Sequence, residues 1–600
     1  MNEVKQAVFD VFGKDTAELL WSNNLYRAIM VTPQDFSIQA ILPAVLYMFR
    51  WGKRRGTGEF RKIFGLPRGE RDWLPPTSSN VVEVLLAKSE AQFNGFDNEN
   101  TKNILKDLLL AFCFENKGHK QGHNIELQRV YPTHYFSSWV DLPKKITDLR
   151  FVPELLAVLL ANQPKNNKLV QTPDFIDTSF PWGSKFEENL LFQKFGTGVR
   201  MSKFATDLGG DDFVEDADVT LDQLLMIRIA KLCTYAPQGM KGGLADVPNA
   251  FPLASKAAKG IRNDIVSFIE KYAETLPRQS FISLFETLLG FGLYQIFLNT
   301  AKVVIEWDAN GNLPNFEEQS SPPVFADASC GMDRELRIAA EESFNNSIMS
   351  LLAQTPKSFM ALRIMDVFGM VDPVLRKIKP VGPDAHEWVN TLGKVRYKGH
   401  SQSAVFLYTL EQSCLRLAGR NEVKEVAPFV TQLLDSSVED VVGKLAEALS
   451  SLMGRKIQFV QLLKFIDSSM IADTPNGFGA KRRIRLSRTV DGKRSMDVRS
   501  LIMSNSLLEV LVHRHLVHGK NEETKEMILS LPRFLEILRI RYGIFIDRSP
   551  LGTQIPDILL RRNREYLERR LRDLGLLTGV NDAENMKMLR ARYKMSETST

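Results

Sequence analysis

Apolar residues recur three and four positions apart in Val4 to Phe12, Ala40 to Phe49, Val81 to Leu86, Ile104 to Phe114 and Leu221 to Leu232, a period that predicts helices. The same period runs from Met332 to Met470, where Glu335 to Leu352, Ala404 to Leu417 and Phe429 to Met453 read as long amphipathic stretches. Asp435-Ser436-Ser437 breaks the last of these and offers Ser437 as a helix cap. No repeat of fixed length aligns the helices. The most apolar run, Phe281 to Leu298, carries Glu286 and Gln295 and follows Arg278, so it predicts a buried helix rather than a membrane span. Strand signals are few: Val303 to Trp307, ahead of Asp308-Ala309-Asn310-Gly311, predicts a strand entering a tight turn, and Glu317 to Pro323 reads as a linker. Pro43 should kink or restart the helix it sits in.

Past a second break at Thr474 to Gly479, charged and apolar residues alternate from Lys481 to Arg488, turn at Asp491-Gly492 and return through Lys493 to Val498, a basic hairpin. Helices are then expected from about Leu501 to His518, Leu531 to Tyr542 and Pro556 to Leu574, with a short strand at Ile544-Phe545-Ile546. Gly575 ends the last helix, and Leu576 to Tyr593 reads as a hairpin around Asn581-Asp582. Three helices and a hairpin outline a winged helix, although a strand between the second and third helices departs from that plan. The fold class expected is mainly α and multi-domain: a helical region at 1–316 (one or two domains), a helical domain at 317–475, and a basic hairpin with a winged-helix-like module at 476–600.

Length agrees, since 600 residues suit about three or four domains of roughly 150. With 44% apolar and 25% charged residues the chain is of globular composition, which excludes long disorder. Cys113, Cys233, Cys330 and Cys414 lie far apart and fit a reduced protein, and the polar start Met1 to Lys5 lacks the pattern of an export signal. A cytoplasmic location, without membrane contact, is expected.

Charge placement changes the picture more than composition does. Residues 481–600 hold 25 Lys plus Arg against 15 Asp plus Glu, a net +10, whereas the whole chain is +6 and the other 480 residues are therefore net −4. Such asymmetry favours a polyanionic partner, with duplex DNA the leading expectation. On the Pro556 helix a 100° step gathers Leu560, Leu567, Leu571 and Leu574 into an apolar stripe and leaves Arg562, Arg569 and Arg572 on the far side with Glu565 and Asp573. The hairpin contributes Lys481, Arg482, Arg483 and Arg485. A third basic element, Lys53, Arg54 and Arg55 among Gly52, Gly56 and Gly58, has amides able to approach phosphate but lacks the residue order of a nucleotide P-loop. These ten cations are the candidate nucleic-acid contacts.

Catalytic signatures are weaker. There is no Gly-x-Ser-x-Gly elbow and no His-Glu-x-x-His helix. Cys113, His119 and His123 supply three zinc-type ligands without a fourth, and the cysteine lies in an apolar helix pattern. The acidic run from Asp211 to Asp218 reads as charge ahead of a helix capped by Thr220, and Asp308 to Asn312 as a turn rather than a calcium loop. His513, His515 and His518 read as polar residues closing a helix that stops at Gly519. Cys330, in Asp-Ala-Ser-Cys-Gly-Met-Asp, has the look of a nucleophile but no identifiable base. No catalytic residue, metal or cofactor is assigned.

Three stretches, Ala40 to Arg50, Cys330 to Leu336, and Arg539 to Asp547 with Glu568 to Leu571, resemble large helical proteins encoded in multi-gene bacterial anti-phage defence islands of the methylation-associated kind. The resemblance implies a non-catalytic subunit that recognises or holds DNA, or a partner protein, while other subunits of the complex supply nuclease, methyltransferase or kinase activity. A helical interaction module without nucleic acid, or an enzyme with a site assembled from distant residues, are the competing expectations.

Overall fold

The computed structural model describes residues 2–22, 34–51, 59–69, 72–88, 93–115, 127, 129–133, 137, 152–160, 195, 199–201, 213–215 and 220–232, then 252–593 except 374, 379–384, 473, 475, 486–494, 519–526 and 579–586. The helical periods are realised as α1 (Asn2–Phe12), α2 (Lys14–Leu20), α3 (Ile41–Trp51), α4 (Glu59–Phe64), α5 (Ser78–Ala87), α6 (Glu99–Leu108), α7 (Val152–Leu160) and α8 (Leu221–Leu232). Pro43 falls in the first turn of α3, after a short 3-10 turn at Ile38–Ala40, where its missing N–H breaks no helical bond. Short strands β1 (Phe114–Glu115) with β2 (Arg129–Val130), and β3 (Val199–Met201) with β4 (Phe213–Glu215), form two antiparallel pairs.

The organising element is α10 (Arg278–Asn310), which follows α9 (Ser255–Tyr272). It is apolar on all sides and buried along most of its length; an 18-residue window long and apolar enough to cross a membrane is 89% buried within the protein. Neighbouring helices account for that hydropathy. The strand expected at Val303 to Trp307 is therefore corrected: those residues are the last turns of α10, and burial overrides the β preference of a Val-Val-Ile run. Gly311, with φ +74°, caps the helix in the left-handed region.

Against α10 pack α12 (Ser350–Val371), which follows α11 (Arg334–Phe344), α13 (Ala385–Arg396) and α18 (Arg455–Ser469), while α14 (Ser403–Ala418), α15 (Asn421–Val426), α16 (Pro428–Asp435) and α17 (Val441–Leu452) pack on one another, with α17 against α12. The cap of α17 is Asp440, whose carboxylate accepts from Gly443 N at 3.0 Å, and not Ser437. As the pattern requires, no strand interrupts the described residues between Met332 and Met470.

A four-stranded sheet runs in the order β10 (Ile544–Phe545), β5 (Val324–Asp327), β7 (Ser495–Ile502), β6 (Gly479–Arg485). The first three strands are parallel and β6 is antiparallel, with Gly479 opposite Leu501 and Arg485 opposite Ser495. The basic hairpin thus forms as its alternation predicts. Strand β7 extends to Ile502, so the next helix, α19, spans only Asn505–His515, shorter than expected, and the chain then enters β8 (Val517–His518) rather than continuing to Gly519. After β9 (Met527–Ser530) come α20 (Leu531–Tyr542), α21 (Asp557–Asp573), β11 (Leu577–Thr578) and β12 (Met588–Leu589). One hydrophobic core runs from Ala7 to Leu589, and a small second cluster joins Phe325 of β5, Leu336 and Ala340 of α11, and Leu560 of α21.

Candidate nucleic-acid interface

The hairpin cations divide by what faces them. Arg482 forms a two-pronged pair with Glu341 of α11, Nε to Oε1 at 2.9 Å and Nη2 to Oε2 at 2.7 Å, and Glu341 is largely buried. Lys481 reaches Asp467 of α18 at 3.3 Å and Asp497 at 3.7 Å. Arg499 on β7 takes the same Asp467, at 2.5 and 2.8 Å. Arg483 is exposed and, among the described residues, makes only a neutral contact, Nε to Ser495 Oγ at 2.8 Å. Arg485 lies at the end of β6, and its side chain is outside the described residues, as are Lys53, Arg54 and Arg55.

In the C-terminal module the second sheet has the order β11, β12, β9, β8, all antiparallel. The expected hairpin after Gly575 is present, and its second strand pairs with the strand that precedes α20. The strand at Ile544-Phe545 belongs to the other sheet, beside β5. Along α21, Leu560, Leu567 and Leu571 are buried, as their spacing requires, together with Asn563 and Glu568. The opposite row, Arg561, Glu565, Arg569 and Arg572, is exposed. Arg572 approaches Glu568 at 3.7 Å, whereas Arg561 and Arg569 have no ion-pair partner among the described residues. Arg562 lies apart from that row: its Nη1 bridges Asp333 (3.0 Å) and Glu335 (2.8 Å) at the start of α11. Arg561 was missed by sequence reasoning, yet eleven steps of 100° place it about 20° from Arg572.

The inner side of α21 covers the loop from Ala328 to Asp333, at the carboxyl ends of β5 and β7. Asn563 receives Ala328 N at 2.8 Å and donates to Ala326 O (3.0 Å) and Ile546 O (2.9 Å). Arg570 donates to Ala328 O, Met503 O, Asn505 Oδ1 and the Cys330 sulfur. Asp327, fully buried, accepts from Ser329 N and Oγ and from Gly331 N at 2.6–2.7 Å, which holds Cys330 at φ +53°. Burial raises the Cys330 thiol pKa, against the lowering pull of Arg570. The nucleophile-like motif is thus a helix-entry turn under α21, with Asp333 capping α11 through Glu335 N and Leu336 N.

Beneath the module, Asp264 of α9, 1% exposed, accepts from Arg514 Nε and Arg541 Nη2, each at 2.5 Å, and from Tyr542 OH at 3.1 Å. His515 Nε2 lies 2.8 Å from the same hydroxyl. His513 Nε2 accepts from Arg592 N at 3.1 Å, so its Nδ1–H faces Glu509 O at 2.6 Å. Burial pushes the His513 pKa down to about 4 and the His515 pKa down to about 2. Both rings are neutral: desolvation outweighs any pull of the helix dipole toward the charged form. His518 is in β8, with its side chain outside the described residues.

Cys113 is buried beside Asp222 O, burial raises its thiol pKa, and His119 and His123 lie outside the described residues. Thr220 flanks the start of α8, its N–H donating to Gln223 Oε1 at 3.0 Å. Of the acidic run, Phe213–Glu215 forms β4 and the other positions are outside the described residues. Among the described residues no group of three His, Cys, Asp or Glu side chains is placed to hold a metal ion.

Fold and surface together define a mainly α protein that carries a small mixed sheet and a basic C-terminal module. Residues 66–593 match the profile of the family described as methylation-associated defense system protein MAD7, and the chain belongs to that family. Its place in a methylation-associated defence system, and an antiviral role, follow from that membership. No curated protein and no solved structure matches the chain.

Proposed function

We propose that the chain is a DNA-binding and scaffolding subunit of its defence complex, non-catalytic and cytoplasmic, with other subunits supplying the chemistry. The observation that carries this reading is the exposed row of α21, where Arg561 and Arg569 make no ion pair among the described residues and outnumber Glu565, the one carboxylate in the row. Its setting supports the same reading: α19, β9, α20, α21 and the β11–β12 hairpin, whose second strand pairs with β9, follow the order of a winged helix, with two departures, β8 paired to β9 and β10 placed between α20 and α21 in the other sheet. Arg572 joins the row, and Arg483, Arg485 and the Lys53, Arg54 and Arg55 segment are secondary candidates for phosphate contact. Lys481, Arg482 and Arg562 already meet carboxylates within the protein, which lowers their value for a polyanion.

The test is duplex DNA binding by the full chain across several salt concentrations. The full chain is required because β5, from the proposed middle domain, pairs with β7 and β10 of the proposed 476–600 domain. A steep inverse dependence on salt is expected. Replacing Arg561 and Arg569 with Gln should reduce the salt slope by about 1 for each phosphate that is no longer neutralised. Absence of binding at low salt defeats the reading. A second reading, a protein-docking module, is favoured by one observation: Val405, Tyr408 and Leu415 on α14, with Phe429 on α16, are large apolar side chains 39–65% exposed on neighbouring helices.

A further inference from the structure

Strand β6 ends the four-stranded sheet, and no described strand pairs with its outer edge, where the phase of the ladder turns backbone groups outward. Ile502 donates its N–H to Phe478 O at 2.9 Å, so even-numbered residues of the strand bond toward β7 and odd-numbered ones face away. Gly479 N accordingly turns from β7 to Met470 O at 3.3 Å. The next outward positions are Lys481, Arg483 and Arg485. At Arg483 the outward N–H and C=O meet no described residue, and the side chain is exposed with no carboxylate partner among the described residues.

Natural sheets guard open edges with charge, because like charges repel a second copy of the same strand. That guard is selective. Cations at the outward-facing positions repel another β6 and attract a strand of opposite charge. The hairpin already shows the pairing chemistry, since Arg482, on the opposite face, holds Glu341 by two parallel N–H to oxygen bonds.

From the open edge and its charge we infer that β6 is a docking edge for an extended acidic segment of a partner protein, which adds as a fifth strand beside β10-β5-β7-β6. Main-chain bonds at Arg483 supply pairing, and its guanidinium selects carboxylates on the incoming strand. The inference is independent of DNA contact by α21.

The experiment uses the full-length protein and a labelled peptide alternating glutamate and valine over about six residues, a usual strand length. A second peptide of the same sequence, N-methylated at alternate residues, keeps the charge and lacks the donors of one edge. The parent should bind the first peptide saturably and the second at least about tenfold more weakly, as expected when main-chain hydrogen bonds are removed. Arg483→Pro removes the outward N–H at an edge position where proline is tolerated, and Arg483→Glu keeps the N–H but reverses the charge. Both should abolish peptide binding while leaving the melting temperature near the parental value. Equal binding of the two peptides would reduce the contact to charge attraction and overturn the inference. So would the absence of saturable binding, or either variant binding the peptide like the parent. Loss of DNA binding with peptide binding intact would also overturn it, assigning the hairpin to nucleic acid.

Discussion

Asp264 gathers three donors from the C-terminal module onto a helix of the central bundle, and its carboxylate has almost no access to water. Removing it leaves two partly buried guanidinium groups facing each other. Asp264→Ala should therefore cost about 3–5 kcal/mol in urea unfolding. The neighbouring histidines set an acid limit. A His whose folded pKa lies below the unfolded value of about 6.5 binds its proton only on unfolding, so stability falls as pH drops below about 6.5. For His515 the fall continues toward its folded value of about 2. Glu286 works the other way: burial pushes its pKa up to about 7 despite Arg129 at 2.8 Å, so its contribution is present at low pH and lost as pH rises through about 7. Unfolding free energy measured from pH 7 to 5 should drop less steeply in His515→Gln than in the parent. None of this was legible in the sequence, where three histidines near a helix end look like charge placed on a dipole; burial and the facing residues come from segments far away in the chain.

At the scale of elements, most helices and the hairpin were legible because periods of 3.6 and 2 are local signals. The misreadings share a cause. Val303 to Trp307 has strand composition but sits in a helix surrounded by protein, where no polar face marks the period. The exposed row of α21 was partly legible: the 100° step found Arg569 and Arg572, whereas Arg562 is drawn to Asp333 and Glu335 by a packing contact that no helical wheel contains. The hairpin cations follow the same logic. Arg482→Ala should lower the melting temperature, because the largely buried Glu341 is deprived of its two-pronged partner, and should leave DNA affinity unchanged. Arg569→Ala should do the reverse, staying within about 0.5 kcal/mol in stability, the usual range for an exposed site, while weakening DNA binding.

For the whole molecule, the join between α10 and α13 is the tightest point described. A Cβ built on Gly393 would stand 1.7 Å from Gly311 O, while Trp307 Nε1 donates to Val389 O at 2.9 Å. Two backbones meet here, and neither can yield as a flexible side chain would. Gly393→Ala should destabilise by about 1–3 kcal/mol or more in denaturant titration, as overpacking does. The three-part division of the chain was read from breaks in the helical pattern. The sheet was not legible as a unit, because its strands come from residues 324–327, 479–502 and 544–545, and such long-range pairings leave no local trace.

The placement of Cys330 under Arg570 has a practical corollary. Guanidinium and thiol are in contact, so while α21 is seated on the Ala328 to Asp333 loop, Arg570 covers one side of the partly exposed Cys330. Displacement of that helix, by a nucleic acid gripping its outer row or by a partner pulling at its end, would uncover the sulfur. The rate at which a maleimide labels Cys330 is thus a built-in gauge of the seating of α21, readable once Cys233, which lies outside the described residues, is replaced by Ser. Cys113 and Cys414, buried in the core, should stay silent on the same timescale.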